Sequence, residues 1–338
     1  MANQRVRITD IAEELGVSTA TVSNVLHGKT KKISDETVKR VQQLLEEREY
    51  IPSMAGILLA QNSSRMIGVV VNDHEKYENH VLEDAFIAAS LNSLSAEIEK
   101  NGQFMMVKKT QDSEEIIRFA SMWNLDGLVL IGFCEQDYMY LRNRMRIPFV
   151  VYDGFCENTE RIYNITIDNY DGGVQVGTYL RECGHKRALC IADNDACVDR
   201  ERKDGFMHGF KKDSPDSVAD FLVVPMGKEA REKFYNEKFS VLLNYTAIFA
   251  LSDYYAMNLM QFFYAKGVKV PEQISVVGFD NVSMSRLICP ALTTVSQDME
   301  LRAKIAIEKL NDLKEHREIE AKVTLPVKLV VRDSVRKL

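Results

Sequence analysis

Residues 8–28 read ITDIAEELGVSTATVSNVLHG, two short periodic segments joined through a glycine. Ile8, Ile11, Ala12 and Leu15 recur at the spacing of an amphipathic helix, and Val22, Val25 and Leu26 fit one face of a second. Gly16 and Val17 supply a tight turn between them, and Ser18 stands where a helix N-cap belongs. Thr19, Ala20, Ser23 and Asn24 then fall on the opposite face, free either to read DNA or to pack. A third segment follows. Ser34 can cap it, Asp35 and Glu36 suit its first turn, and Val38, Val41, Leu44 and Leu45 turn inward. Residues 1–50 therefore predict an all-α headpiece with a small, marginally stable core. Tyr50-Ile51-Pro52 should end the third helix, because a residue before proline is driven out of the helical region, and 51–64 reads as a linker.

From Met66 the pattern changes. The runs MIGVVV, FMMVKK, DGLVLIG, IPFVVYD, RALCIAD, AIFALSD and ISVVGFD alternate with helical segments such as Ile87, Leu91, Leu94 and Ile98. Continuous apolar strands separated by helices mean parallel sheets covered on both faces, and seven such strands suit two doubly wound lobes better than one. Several end in Asn72, Asp73, Asp153, Asp193, Asp253 or Asp280, and ligands of open parallel sheets sit beyond the carboxyl ends of the strands. Asp193 and Asp253 read as helix N-caps, whereas Asp153 and Asp280 are the better ligand candidates.

Composition bounds the function. A chain of 338 residues with 46% apolar and 27% charged residues is an ordinary globular one, and a net charge of −6 excludes a protein that coats nucleic acid indiscriminately. Neither a signal-peptide run nor a membrane-length apolar stretch is present, which points to the cytoplasm and to no membrane partner. Cys134, Cys156, Cys183, Cys190, Cys197 and Cys289 have no metal spacing and should be reduced and mostly buried. No catalytic motif, metal site or cofactor motif is found, DNYDGG at 168–173 being the nearest to a glycine-rich loop.

ITDIAEELGVSTATVSNVLHG, EREYIPS, SVVGFDN, CPALTTVSQDM and LVVRDS, in that order along nearly the whole chain, resemble the LacI/GalR transcription regulators. The resemblance implies a helix-turn-helix headpiece (1–50), a hinge helix (51–64) and a core (65–338) of two α/β lobes with doubly wound parallel sheets, similar to type I periplasmic-binding proteins. Its first lobe would span about 65–167 and 292–320, its second 168–291 and 321–338. In a helix-turn-helix the start of the second helix enters the major groove, so Thr19, Ala20 and Asn24 would face base edges. Ser18, Thr21 and Ser23 suit phosphate oxygens, and Lys29, Lys31 and Lys32 add local positive charge. Asn24 stands where the family often has arginine, which favours adenine over guanine there. Leu59 aligns with a leucine that wedges into the central minor-groove step, although Ile57 replaces a frequent arginine and Gly56 weakens the helix.

In the core the resemblance places effector-binding roles at Asp153, Arg202, Ser252 and Asp280, Ser252 replacing a common asparagine. An arginine and an aspartate facing each other across a cleft can grip vicinal hydroxyls. The segment from Ile67 to Gly102 is longer than in relatives, and its insertion HEKYENHVLED offers His74, Tyr77 and His80 as ligands or a lid. The expected protein is a sequence-specific repressor. It would be a homodimer on a near-palindromic duplex operator, controlled by a small-molecule effector, a sugar, in the interlobe cleft. A sugar receptor without DNA regulation shares the core but not the headpiece.

Overall fold

The computed structural model describes residues 6–51, 63–156, 162–212, 214–318 and 320–338. It divides into two compact units, Met1–Ser64 and Arg65–Leu338. Gly56, Ile57 and Leu59 lie outside the described residues, so the wedge expected of Leu59 has no structural account.

In the first unit, α1 (Ile8–Leu15), α2 (Thr19–Leu26) and α3 (Asp35–Glu47) enclose Ile11, Ala12, Val22, Val25, Val41 and Leu44. Gly16 terminates α1 at φ 64°, a left-handed conformation that favours glycine, and Ser18 Oγ accepts from Thr21 N at 3.1 Å to cap α2. Ser34 caps α3 through Thr37 N at 3.3 Å. The helix stops at Glu47, earlier than the proline signal suggested. Glu49 turns to φ 47° and Tyr50 N donates to Leu45 O at 2.9 Å, so a C-terminal turn ends α3 before Pro52 can act.

The second unit holds two six-stranded sheets among its described residues. The first runs β11 (Lys322–Leu325), β5 (Asn164–Ile167), β4 (Phe149–Tyr152), β3 (Gly127–Ile131), β1 (Met66–Val71), β2 (Phe104–Lys109), all parallel. The second runs β12 (Lys328–Val330), β10 (Thr293–Ser296), β9 (Ser275–Asp280), β8 (Ala247–Ala250), β6 (Arg187–Ala192), β7 (Val218–Val223), with only β12 antiparallel to its neighbour. β1, β3, β4, β5 and β8 are buried at every position, the signature of strands covered on both faces. FMMVKK differs from a buried run: β2 is an edge strand with Phe104 and Val107 exposed.

The chain passes between lobes at Asp168, between Ser296 and Met299, and between Leu325 and Lys328. This corrects the expected lobe limits. Thr293–Ser296, expected in the first lobe, belongs to the second sheet, and Lys322–Leu325, expected in the second, closes the first. The helix between them, α12 (Met299–Lys314), packs on β3, β4, β5 and α4 (Ala85–Lys100) of the first lobe. Of the cysteines, Cys156, Cys183 and Cys190 are buried, but Cys134 and Cys289 are exposed and Cys197 is half-buried, so the expectation of mostly buried thiols holds for half of them. Among the described residues no helix is long and apolar enough to cross a membrane.

Candidate functional site

The headpiece presents a polar face built by the burial of the opposite one. Val22 and Val25 of α2 are buried, which leaves Thr19, Ala20 and Asn24 exposed together, with Ser18 and Lys29 exposed at the two ends and Lys31 and Lys32 beyond. Thr21 and Ser23 are half-buried. The Ser18 and Thr21 hydroxyls lie 2.9 Å apart, so each already has a protein partner and keeps only its remaining hydrogen-bonding capacity for an outside group.

The second unit carries a cleft of about 600 Å³ between its lobes, at the carboxyl ends of strands from both sheets. Asp153, Arg202, Ser252 and Asp280 all line it. Asp153 follows β4 with φ 60° and Asp280 ends β9 with φ 118°, both in the left-handed region that costs a non-glycine residue backbone energy. Arg202 lies on α8 (Cys197–Lys211), nearly buried. Its Nε donates to Asn169 Oδ1 and its Nη1 to Leu251 O, each at 2.8 Å, its guanidinium covers the Phe279 ring at 3.8 Å, and Nη1 stands 3.8 Å from Asp280 Oδ1. The arginine is held rigidly rather than left to reach.

Close helix packing places it. α7 (Asn169–Glu182) brings Gly173 and Gly177 against the α8 backbone at Arg202 and Phe206, while Gly205 and Gly209 of α8 meet the α7 backbone at Tyr170 and Val174. DNYDGG is therefore a cap and a packing surface: Asp168 accepts from Asp171 N at 2.8 Å, and Asn169 is the buried partner of Arg202. Asn169 was missed in the sequence because nothing distinguishes it from its neighbours in that helix start.

Ser252 caps α11 (Asp253–Ala265), accepting from Tyr255 N at 3.4 Å. Asp253 is thus not the N-cap expected of it. Its buried carboxylate accepts from Val282 N at 2.9 Å and from the Thr294 hydroxyl at 2.6 Å, and burial pushes its pKa up to about 7. Asp193 is no cap either, since Ala196 precedes α8. It lines the cleft, accepts from the Tyr255 hydroxyl at 2.7 Å, and faces Lys76 at 3.6 Å. Burial raises its pKa, but Lys76, Tyr255 and Asn194 outweigh burial and hold the carboxyl below its ordinary value. Burial pushes Asp199 up to about 6, and it raises Asp280 well above the carboxylate range against the pull of Arg202.

The inserted segment reaches across the cleft. A short 3-10 turn at Glu75–Tyr77 sets Lys76 O within 3.3 Å of the Tyr254 hydroxyl, stacks Tyr77 edge-on to Tyr254 at 6.3 Å, and lets Glu78 Oε1 accept from Lys228 N at 2.9 Å. Burial lowers the Lys76 ammonium, but Tyr77, Asp193, Asp199 and Asp84 overcome this and keep it charged above its ordinary value. Tyr77 and His80 line the cleft; His74 is half-buried and does not. Arg231, nearly buried, completes this wall with hydrogen bonds to Tyr254 at 3.0 Å and Asn258 at 3.3 Å. Lys76 and Arg231 escaped the sequence reading because a lone lysine in an insertion and an arginine on α9 (Lys228–Glu237) carry no local sign of a cleft.

Comparison with known proteins agrees with this division. Residues 7–53 match the model of bacterial regulatory proteins of the lacI family, and residues 178–335 match a periplasmic binding protein-like domain. The chain is 29% identical over 345 residues to the HTH-type transcriptional repressor PurR of Pasteurella multocida (strain Pm70), covering 97% of this chain and 98% of that one. It is 28% identical over 354 residues to the repressor of the same name from Histophilus somni (strain 129Pt), covering 98% and 99%. Among solved structures, the Lac repressor dimer bound to operator and the anti-inducer ONPF superposes with a TM-score of 0.83 at 22% identity, covering 98% of this chain and all of that one. The complex of the transcriptional regulator CelR with cellobiose gives 0.70 at 22% identity, with the same coverage. The capped three-helix headpiece is thus the part that matches the lacI family of bacterial regulatory proteins, and the two-sheet core is the part that matches a periplasmic binding protein-like domain.

Proposed function

We propose that this chain is an operator-binding transcriptional repressor of the cytoplasm, a homodimer on a near-palindromic site, whose effector is an uncharged sugar held in the interlobe cleft. The observation that carries this reading is the pairing, in one chain, of an exposed Thr19, Ala20 and Asn24 face with a cleft whose carboxylates outnumber its free cations. The polar face suits base edges, with Asn24 matched to adenine and Ala20 to a thymine methyl. In the cleft, Asp84, Asp153, Asp193, Asp199 and Asp280 meet buried or half-buried cations already committed, Lys76 to Asp193, Arg202 to Asn169 and Asp280, and Arg231 to Tyr254 and Asn258, with the exposed Lys228 as a further lining cation. An added anion would face the Asp193 carboxylate and find the buried cations taken, whereas hydroxyl groups donate to carboxyl oxygens and accept from guanidinium N–H groups. Tyr77 and Tyr254 offer rings to the apolar face of a sugar.

Effector binding would change the angle between lobes and so the spacing of the paired headpieces, and coupling of about 1–3 kcal/mol is enough to alter operator occupancy. The test is a thermal-shift screen of the intact chain against neutral mono- and disaccharides, nucleobases and sugar phosphates, followed by selection of bound duplexes from random DNA. A neutral sugar should raise Tm and shift affinity for the selected duplex, and Arg202→Ala should lose that shift while still binding DNA. Stabilisation by nucleobases or sugar phosphates but by no sugar overturns the effector reading. Failure to select any common sequence overturns the repressor.

A further inference from the structure

Arg302 is a cation where the fold asks for an apolar residue. It sits near the start of α12 and is fully buried, while Ala303, Ala306, Ile307 and Leu310 of the same helix fill the first lobe's core. Burying a guanidinium is unfavourable unless its charge and donors are matched, so stability alone does not account for it. Its surroundings do. Nη1 lies 3.4 Å from Asp153 Oδ2, the guanidinium packs on the Tyr152 ring at 5.1 Å, and Nη2 donates to Gln297 Oε1. Gln297 occupies the connection between β10 of the second lobe and α12 of the first, and its Nε2 donates to Asp280 Oδ1 at 2.9 Å. Three buried atoms of this cluster, Asp153 Oδ1, Arg302 Nε and Arg302 Nη1, have no hydrogen-bond partner.

We propose that Arg302 is a positioning residue of the effector cleft: it aims Asp153 of the first lobe and, through Gln297, fixes Asp280 of the second, so that the two carboxylates keep one spacing. This rests on the cleft being the effector site. Arg302 itself stays behind the cleft wall, fully buried, so it acts on a ligand only through the carboxyl groups that it places. Ligand contact at Asp153 is then felt at Asp280 through side chains, without waiting for the whole lobe to move.

Hydrogen exchange on the full chain without effector tests this, because amides at both ends are hydrogen-bonded: Asp153 N to Ile165 O at 2.9 Å, Asn281 N to Thr294 Oγ1 at 3.2 Å. Arg302→Met is read at its far end, residues 278–284, where exchange should quicken on the order of tenfold. Gln297→Leu leaves the Arg302–Asp153 pair in place, and is read at the other end, residues 149–156, with the same expectation. Arg302→Lys, which keeps a charge beside Asp153 but loses the two-pronged geometry that reaches Gln297, should not restore 278–284. Changes confined to the near end in each variant overturn the proposal, and if Arg302→Met does not fold, Gln297→Leu decides alone. The measurement uses no sugar, so a wrong effector class would show in the thermal-shift screen and not here.

Discussion

The Lys76 ammonium of the first lobe meets the Asp193 carboxylate of the second across the cleft at 3.6 Å, and the Asp193 side chain is only 3% exposed. Such a carboxylate cannot simply turn to water when its partner is removed. Lys76→Met should therefore cost about 1–3 kcal/mol in urea unfolding, tempered by the Tyr255 and Asn194 hydrogen bonds that Asp193 retains. Unchanged stability would mean that the inserted segment merely lies near the second lobe.

On the headpiece, base-reading and phosphate-binding positions should separate cleanly. Asn24→Ala, at an exposed position opposite buried Val25, should relax selected duplexes at one base pair per half-site, worth about 1–3 kcal/mol. Lys29→Ala should weaken all duplexes alike and lower the salt dependence. Equal behaviour of the two variants in a quantitative selection would remove Asn24 from the reading face.

Gly205→Ala tests how Arg202 is set in place. The added methyl meets the Tyr170 carbonyl, so α7 and α8 must part, at about 1–3 kcal/mol of unfolding free energy. The effector-induced rise in Tm should fall with it, because Asn169 and Arg202 sit on the two separated helices. A variant as stable as the parent would mean that this crossing tolerates a wider spacing.

His185 makes stability pH-dependent. Its Nδ1 lies 2.9 Å from the Thr246 hydroxyl, its Nε2 3.2 Å from Arg336 O, and burial pushes its pKa down to about 4. A depressed imidazole contributes stability that is complete above its unfolded pKa, near 6.5, and is lost as pH falls towards 4. Between pH 7.5 and 5 that loss is about 2 kcal/mol, and urea unfolding of His185→Asn should lack this share of the acid destabilisation. Parallel pH curves for parent and variant would contradict it.

The sequence made the site readable where the chain advertises it. Asp153, Ser252 and Asp280 follow apolar strands, and parallel strands deliver their carboxyl ends to one edge of their own sheet, which brings Ser252 and Asp280 together in the second lobe and Asp153 to the corresponding edge of the first. Arg202 needed the resemblance, since an arginine within a helix has no such geometric guarantee. Arg302 and Gln297 were invisible for a related reason: they act across a lobe boundary, and the crossings at 297–298 and 326–327 are too short to leave a compositional mark. The same brevity misplaced β10 and β11. Asp253 and Ser252 differ by one position, and only the hydrogen bonds tell which of them caps the helix.

The three passages of the chain between the two sheets limit what an effector can make this molecule do. A lobe hung on a single strand could slide, tilt or spin; one hung on three, at Asp168, 297–298 and 326–327, must move them all at once. Swinging about one line is then the cheap motion, as with a door on a row of pins, and small differences in how far the leaf closes are turned into a single repeatable angle.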